Sequence, residues 1–352
     1  MKFLFCLLVM LEAVSHAQER PKGGEDRRHG PPEGGAAWVD EASGFLVPQN
    51  LAGFVMEGWV EWNDTTLGRS VRLQHEKARA RADIYAYACD VPAATDTDKR
   101  AAVEGELRKS VAVVYEMEKR GTYSDVDAQN GSFGEIDLLP DGSIPFAWSL
   151  VTMTIHQRTP AGDAPAEVTS WHAVTVFNKH FIKVRYTFPT EEKKAGEKVL
   201  NEFVEAWQWC LREPGFRAMI RPSLKTYLAD PLGPKAAEAA GAVLTYAEKT
   251  SFISLEIGGR ISACMQEAAA AQKGSELDIM RAFVTGCVEA SLHSQKPAEM
   301  EAGAALAARV YGLLQEKHAG FQCAALDELR AAVKEKRAAK WLAEKGGGGK
   351  KP

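Results

Sequence analysis

The chain has 352 residues, 45% of them hydrophobic and 26% charged, with a formal net charge of -4. That apolar content supports more than one core and excludes a chain disordered throughout. Lys and Arg are scattered among Asp and Glu instead of forming a stripe, so neither nucleic acid nor an anionic membrane surface is an expected partner.

Residues 1–17 read as a cleavable signal peptide. Lys2 precedes an apolar run from Phe3 to Leu11, and Ser15 and Ala17 supply the small residues that a signal peptidase accepts. The run is about half the ~20 residues that cross a bilayer, and no later segment is long and apolar enough to span one. The expected location is secreted or periplasmic, with Gln18 as the new amino terminus. Residues 18–37 are charged and rich in Gly and Pro, which predicts a disordered lead. Residues 346–352 are expected to be a flexible tail.

An α+β domain is expected over 38–220. Alternating aromatic and β-branched residues mark strands at 53–62, 68–74 and 81–89, the last with Tyr85 and Tyr87 on one face and Ile84 on the other. Residues 97–120 carry a helical stripe of Val103, Leu107, Val111 and Val114, ended by Gly121. Irregular chain follows, then strands at 144–157, 168–177 and 179–188, the last two joined by a tight turn at Asn178-Lys179. A second helix opens at Pro189-Thr190 and is expected to stop at Pro214-Gly215. Strands in runs predict an antiparallel sheet flanked by helices. Pro222, Pro231 and Gly233-Pro234 suggest a linker over 221–234. Alanine-rich helical stripes then predict a small helical bundle over 235–345, with 252–257 as an alternative extended edge.

The strand pair Trp171 to Phe177 and Phe181 to Phe188, running straight into the helix from Glu192 to Leu211, resembles the Mog1/PsbP-like α/β/α sandwich, as seen in uncharacterised secreted bacterial proteins. The resemblance spans about Phe54 to Pro214 and rests on topology. It implies a fold and transfers no site residue.

The chemistry-bearing spacings are missing: no G-x-S-x-G, P-loop, G-x-G-x-x-G after a strand, or H-E-x-x-H. No metal or cofactor is expected. His156, His172 and His180 are the candidates for proton transfer or metal binding, and His172, sharing a strand face with Val174 and Val176, leads them, either a half-buried base or a hydrogen-bonded core histidine. Trp59, Trp62, Tyr85 and Tyr87 are candidates for ligand binding: exposed they stack on a sugar or a peptide, buried they are core. Cys264 and Cys287 flank Gly274 so that a helical hairpin brings them nearly level, offering a disulfide; the other reading is buried free thiols. The expected function is non-enzymatic binding of an unknown protein or small-molecule partner. A hydrolase of the cell envelope, or a small-molecule carrier, using a pocket near His172 is the alternative.

Overall fold

A computed structural model describes residues 26–64, 66–90, 95–138, 142–159, 162–255 and 257–344. The expected signal peptide, the first part of the expected lead and the expected tail lie outside these residues. The described strands are β1 Arg27–His29, β2 Trp38–Val39, β3 Leu46–Val47, β4 Asn50–Leu51, β5 Phe54–Glu61, β6 Arg69–His75 and β7 Ala80–Ala88, then β8 Tyr123–Ala128, β9 Ser132–Asp137, β10 Ser143–Thr159, β11 Gly162–Phe177 and β12 His180–Pro189. The helices are α1 Asp96–Lys119, α2 Lys193–Ala229, α3 Ala236–Lys249, α4 Gly259–Ala271, α5 Ser275–Ser294, α6 Met300–Lys317, α7 Ala324–Lys334 and α8 Ala338–Ala343. They divide into two compact units. One comprises the chain to Glu33 and Trp38–Arg212, the other Gly34–Ala37 and the chain from Glu213 onward.

The first unit is an antiparallel sheet ordered β1-β5-β6-β7-β12-β11-β10-β8, with β4 added to β5 and β9 to β10. Local chemistry sets its corners. Asn178 and Lys179 both adopt left-handed φ, 47° and 62°, as a two-residue hairpin turn requires when its twist is to match that of β11 and β12. Thr95 starts α1 with a capping box, its hydroxyl accepting from the Asp98 amide while the Asp98 carboxylate accepts from the Thr95 amide. One face of the sheet, carrying Phe54, Leu73, Ile84, Val184, Tyr186 and Trp171, closes against Phe203 and Trp207 of α2. The ring of Trp207 stands edge-on to Trp171 at 6.0 Å and is fully buried. The other face receives α1, which packs on β8, β10 and β11 through Val103, Leu107, Val114 and Met117.

Three expectations are corrected. The lead is not disordered throughout: Arg27–His29 pairs with β5, and Gly58, lacking a side chain, admits the His29 carbonyl, which would lie 2.4 Å from an added Cβ. The stretch taken as irregular after α1 holds β8 and β9. These are acidic, half-exposed strands whose charges blur the period-two pattern. Finally, α2 does not stop at Pro214-Gly215 but runs to Ala229, through both Pro214 and Pro222. Phe216, Ile220, Leu224 and Tyr227 continue its buried stripe at helical spacing, so burial outweighs the lost backbone bonds.

The second unit is helical. Its core gathers Ala240, Ile261, Cys264, Phe283, Cys287, Val310, Tyr311, Leu326 and Trp341, all buried. Small residues let α5 and α6 approach closely: an added Cβ at Gly286 would lie 2.7 Å from the Ala302 carbonyl. Among the described residues 252–257 form no strand; Phe252 and Ile253 are simply buried.

Candidate functional site

On the face that receives α1, cross-strand pairing builds a polar row. Lys183 of β12 stands opposite Tyr85 of β7, and Arg185 opposite Asp83. Arg185 is also paired with His172 of β11, and His172 in turn with Ser149 of β10. Directly opposed residues have Cβ atoms about 4.5–5.5 Å apart. The row starts beneath α1, where His172 is 2% exposed, and reaches the half-buried Tyr85, Lys183 and Arg185.

Each member is held in a definite state. His172 Nδ1 lies 3.0 Å from the hydroxyl of Ser110 on α1. Burial, reinforced by the charges of Arg185 and Lys183, holds the ring well below its usual pKa, so it is neutral at pH 7. Among the described residues its Nε2 is buried without a hydrogen-bond partner, and the same holds for Arg185 Nε. The Arg185 guanidinium donates to the Tyr123 hydroxyl at 3.3 Å. Lys183 Nζ sits over the rings of Tyr85 and Tyr87, 5.1 and 5.2 Å from their centres. Burial lowers this ammonium, with Glu106 opposing and Arg185 adding to the effect. Burial also pushes the Tyr85 phenol up to about 12. Tyr87 donates to Glu106 at 2.7 Å.

The carboxylate nearest the row is already engaged. Burial alone would raise Asp83, but Arg81 at 2.6 Å and Arg72 at 2.9 Å outweigh it and hold the group ionised. Among the described residues Lys183 and Arg185 therefore form no ion pair with a carboxylate, and none is paired with His172.

The aromatic candidates are not one cluster. Tyr85 and Tyr87 share the row. Trp59 pairs with Val71, which pairs with Ile84, so it stands on the opposite face and is stacked on His29 with ring centres 3.8 Å apart. Trp62 follows β5 and its indole donates to Ser70, the partner of Tyr85, at 3.0 Å. Trp62 and Tyr87 line a cleft of about 480 Å³ with Asp40, Glu61, Arg69 and His180. His156 stands opposite Pro165, and so is not a cross-strand neighbour of His172.

Of the two readings of Cys264 and Cys287, the structure shows the free thiols and no disulfide between them. All five described cysteines are free and buried, Cys264 and Cys287 included. The neighbour of Cys264 is Cys323, whose Sγ lies 3.9 Å from the Cys264 carbonyl. Burial pushes the Cys264 and Cys287 thiols up to about 12.

Lys183 and Arg185, which dominate the row, were absent from the sequence-based candidates. Their signal is present nonetheless: in the strand Phe181 to Phe188, two cations occupy the face that the hairpin register aligns with Tyr85 and His172.

No protein-family model matches the chain, and neither does any curated protein. Among solved structures it is similar to the solution structure of cyanobacterial PsbP (CyanoP) from Synechocystis sp. PCC 6803. That pair is 12% identical over 54% of this chain and 96% of that one, with a TM-score of 0.32. The crystal structure of the Saccharomyces cerevisiae Ran-binding protein Mog1p is also similar, at 12% identity, over 52% of this chain and 95% of that one, with a TM-score of 0.25. The resemblance named from the sequence is thus found among solved structures, weakly and as a likeness of fold alone.

Proposed function

We propose that the chain is a secreted or periplasmic binding protein without catalytic activity, and that its α+β unit takes a ligand on the sheet face beside α1. The observation that carries this reading is the arrangement around Lys183. Its ammonium lies over two tyrosine rings, beside Arg185 at one end and, through Tyr87, the Trp62 cleft at the other. Aromatic rings interleaved with cations that form no carboxylate ion pair among the described residues are the groups from which ligand sites are made. The leader from Lys2 to Ala17 supports a location outside the cytosol.

Hydrolysis is disfavoured by the state of His172. A general base needs reach to its substrate and a group to orient it; here Nδ1 faces a serine on the covering helix, and among the described residues no carboxylate is paired with the ring.

The test is a thermal-shift screen of the chain from Gln18 onward against sugars, short peptides and small organic acids. A ligand present at a hundred times its Kd stabilises the folded state by about 2.7 kcal/mol. Tyr85→Ala and Trp62→Ala should abolish that shift while leaving a cooperative transition. Compounds that shift both variants as they shift the parent protein would place the binding surface elsewhere.

A further inference from the structure

We infer that the inner end of this row, His172 with Arg185 and the neighbouring Lys183, is a binding site for an oxyanion: the carboxylate or phosphate group of a small ligand. The inference rests on the reading of this face as a binding surface, and it names what that surface recognises.

Two buried nitrogens without a partner among the described residues carry the argument. His172 is 2% exposed, and Ser110 engages its Nδ1. When the Ser110 hydroxyl donates there, the neutral ring bears its proton on Nε2, which is buried and has no partner among the described residues. Arg185 is the directly opposed residue, and its Nε, always a donor, is likewise buried and unpartnered. Buried polar atoms are almost always satisfied, so in that tautomer the two donors on adjacent strands call for an acceptor. The charges around the pair fix its sign. Lys183 lies on the same strand face as Arg185, and Asp83, the carboxylate opposite Arg185, is taken up by Arg72 and Arg81. Around such an acceptor Lys183, Arg185, Arg72 and Arg81 outnumber Asp83 and Glu106, so it meets a net positive charge, which favours an anionic oxygen over a neutral one through charge-assisted hydrogen bonds. The guanidinium suits the planar geometry of carboxylate and phosphate, while the rings of Tyr85 and Tyr87 border the route along Lys183 toward the Trp62 cleft.

The experiment uses the chain from Gln18 onward, labelled with ¹⁵N-histidine. The ring nitrogens of His172 are followed while inorganic phosphate, and in a separate arm succinate, is titrated at constant ionic strength. The expected result is a saturable shift of the Nε2 resonance in at least one arm, and the responding arm identifies the group. Arg185→Gln should weaken that binding at least tenfold. Lys183→Gln, at the half-buried rim, should weaken it severalfold and serves if Arg185→Gln fails to fold. A response that is linear in concentration, or unchanged in the folded variants, would mean an adventitious ion only and overturn the proposal. No response in either arm would mean that a bridging water alone satisfies the two donors, and overturns it equally. Neutral ligands that depend on Tyr85, with no response to phosphate or succinate, would overturn the oxyanion site and leave the binding surface standing. Silence from both His172 and Tyr85 would remove both.

Discussion

Lowering the pH tests the state of His172 through stability. The folded protein holds this ring neutral under α1, its pKa depressed by burial and by Arg185 and Lys183, whereas the unfolded chain protonates it near 6.5. Below pH 6.5 the unfolded state therefore binds a proton that the folded state refuses, and stability falls with pH. The contribution is intact above 6.5 and is lost progressively until the pH reaches the folded value. Each unit over that span costs about 1.4 kcal/mol, so between pH 7 and pH 5 the loss approaches ~2 kcal/mol. Acidification acts on the rest of the protein as well, so the quantity to measure is a difference. Urea unfolding of the parent chain and of His172→Asn, which retains a polar group beside Ser110, should give stability curves that converge by about 2 kcal/mol over this range. Parallel curves would show that His172 titrates alike in both states, and the argument for a neutral, buried Nε2 donor would fall with that result.

Glu213, fully buried in the second unit, accepts from Arg217 at 2.7 Å, from Thr250 at 2.8 Å and from the Tyr246 hydroxyl. Glu213→Ala leaves the buried Arg217 guanidinium without its carboxylate, with only Gln295 to accept from it, and chemical denaturation should register a loss of about 3 kcal/mol. Retention of parental stability would show that the network is solvated. Cys264 and Cys287, with thiols at about 12 and no exposed surface, should react with a thiol reagent at pH 8 only as the unit unfolds, in proportion to denaturant. Rapid labelling of either in native buffer would contradict their placement in the core.

What the sequence disclosed followed the strength of local signals. β7, β11 and β12 were legible because Tyr85 and Tyr87 alternate with Ile84, Lys183 and Arg185 alternate with Val184 and Tyr186, and Trp171 to Phe177 are rich in aromatic and β-branched residues, with the polar Asn178-Lys179 separating the last two runs. α1 was legible from its stripe and from Gly121, which takes φ +72° at its end. β8 and β9 were hidden by Ser124, Asp125 and Asp127, which an edge strand tolerates and a core strand does not. The passage of α2 through Pro214 depends on partners far away in sequence, such as Tyr246 and Thr250 against Glu213, and a local reading of proline has no access to these. The site divided in the same way. His172 and the two tyrosines were visible as residue types on a strand face, but their union with Lys183 and Arg185 required the register of three strands. That register separates Trp59 from the group as firmly as it joins the rest.

The row also carries a cost that stability alone would not maintain. His172 and Ser110 meet at 3.0 Å where Val174, Val103 and Leu107 otherwise make an apolar seam between sheet and helix. Removing one partner leaves the other unsatisfied and destabilises by about 1–3 kcal/mol, whereas replacing both with apolar groups is nearly neutral or stabilising. His172→Leu and Ser110→Ala should therefore each lower stability, and the double variant should recover most of the loss. A double-mutant cycle by urea unfolding should give a coupling of about 1 kcal/mol or more. Additive losses would mean that the pair is held for packing. Recovery in the double variant would show that the fold does not need the polar pair.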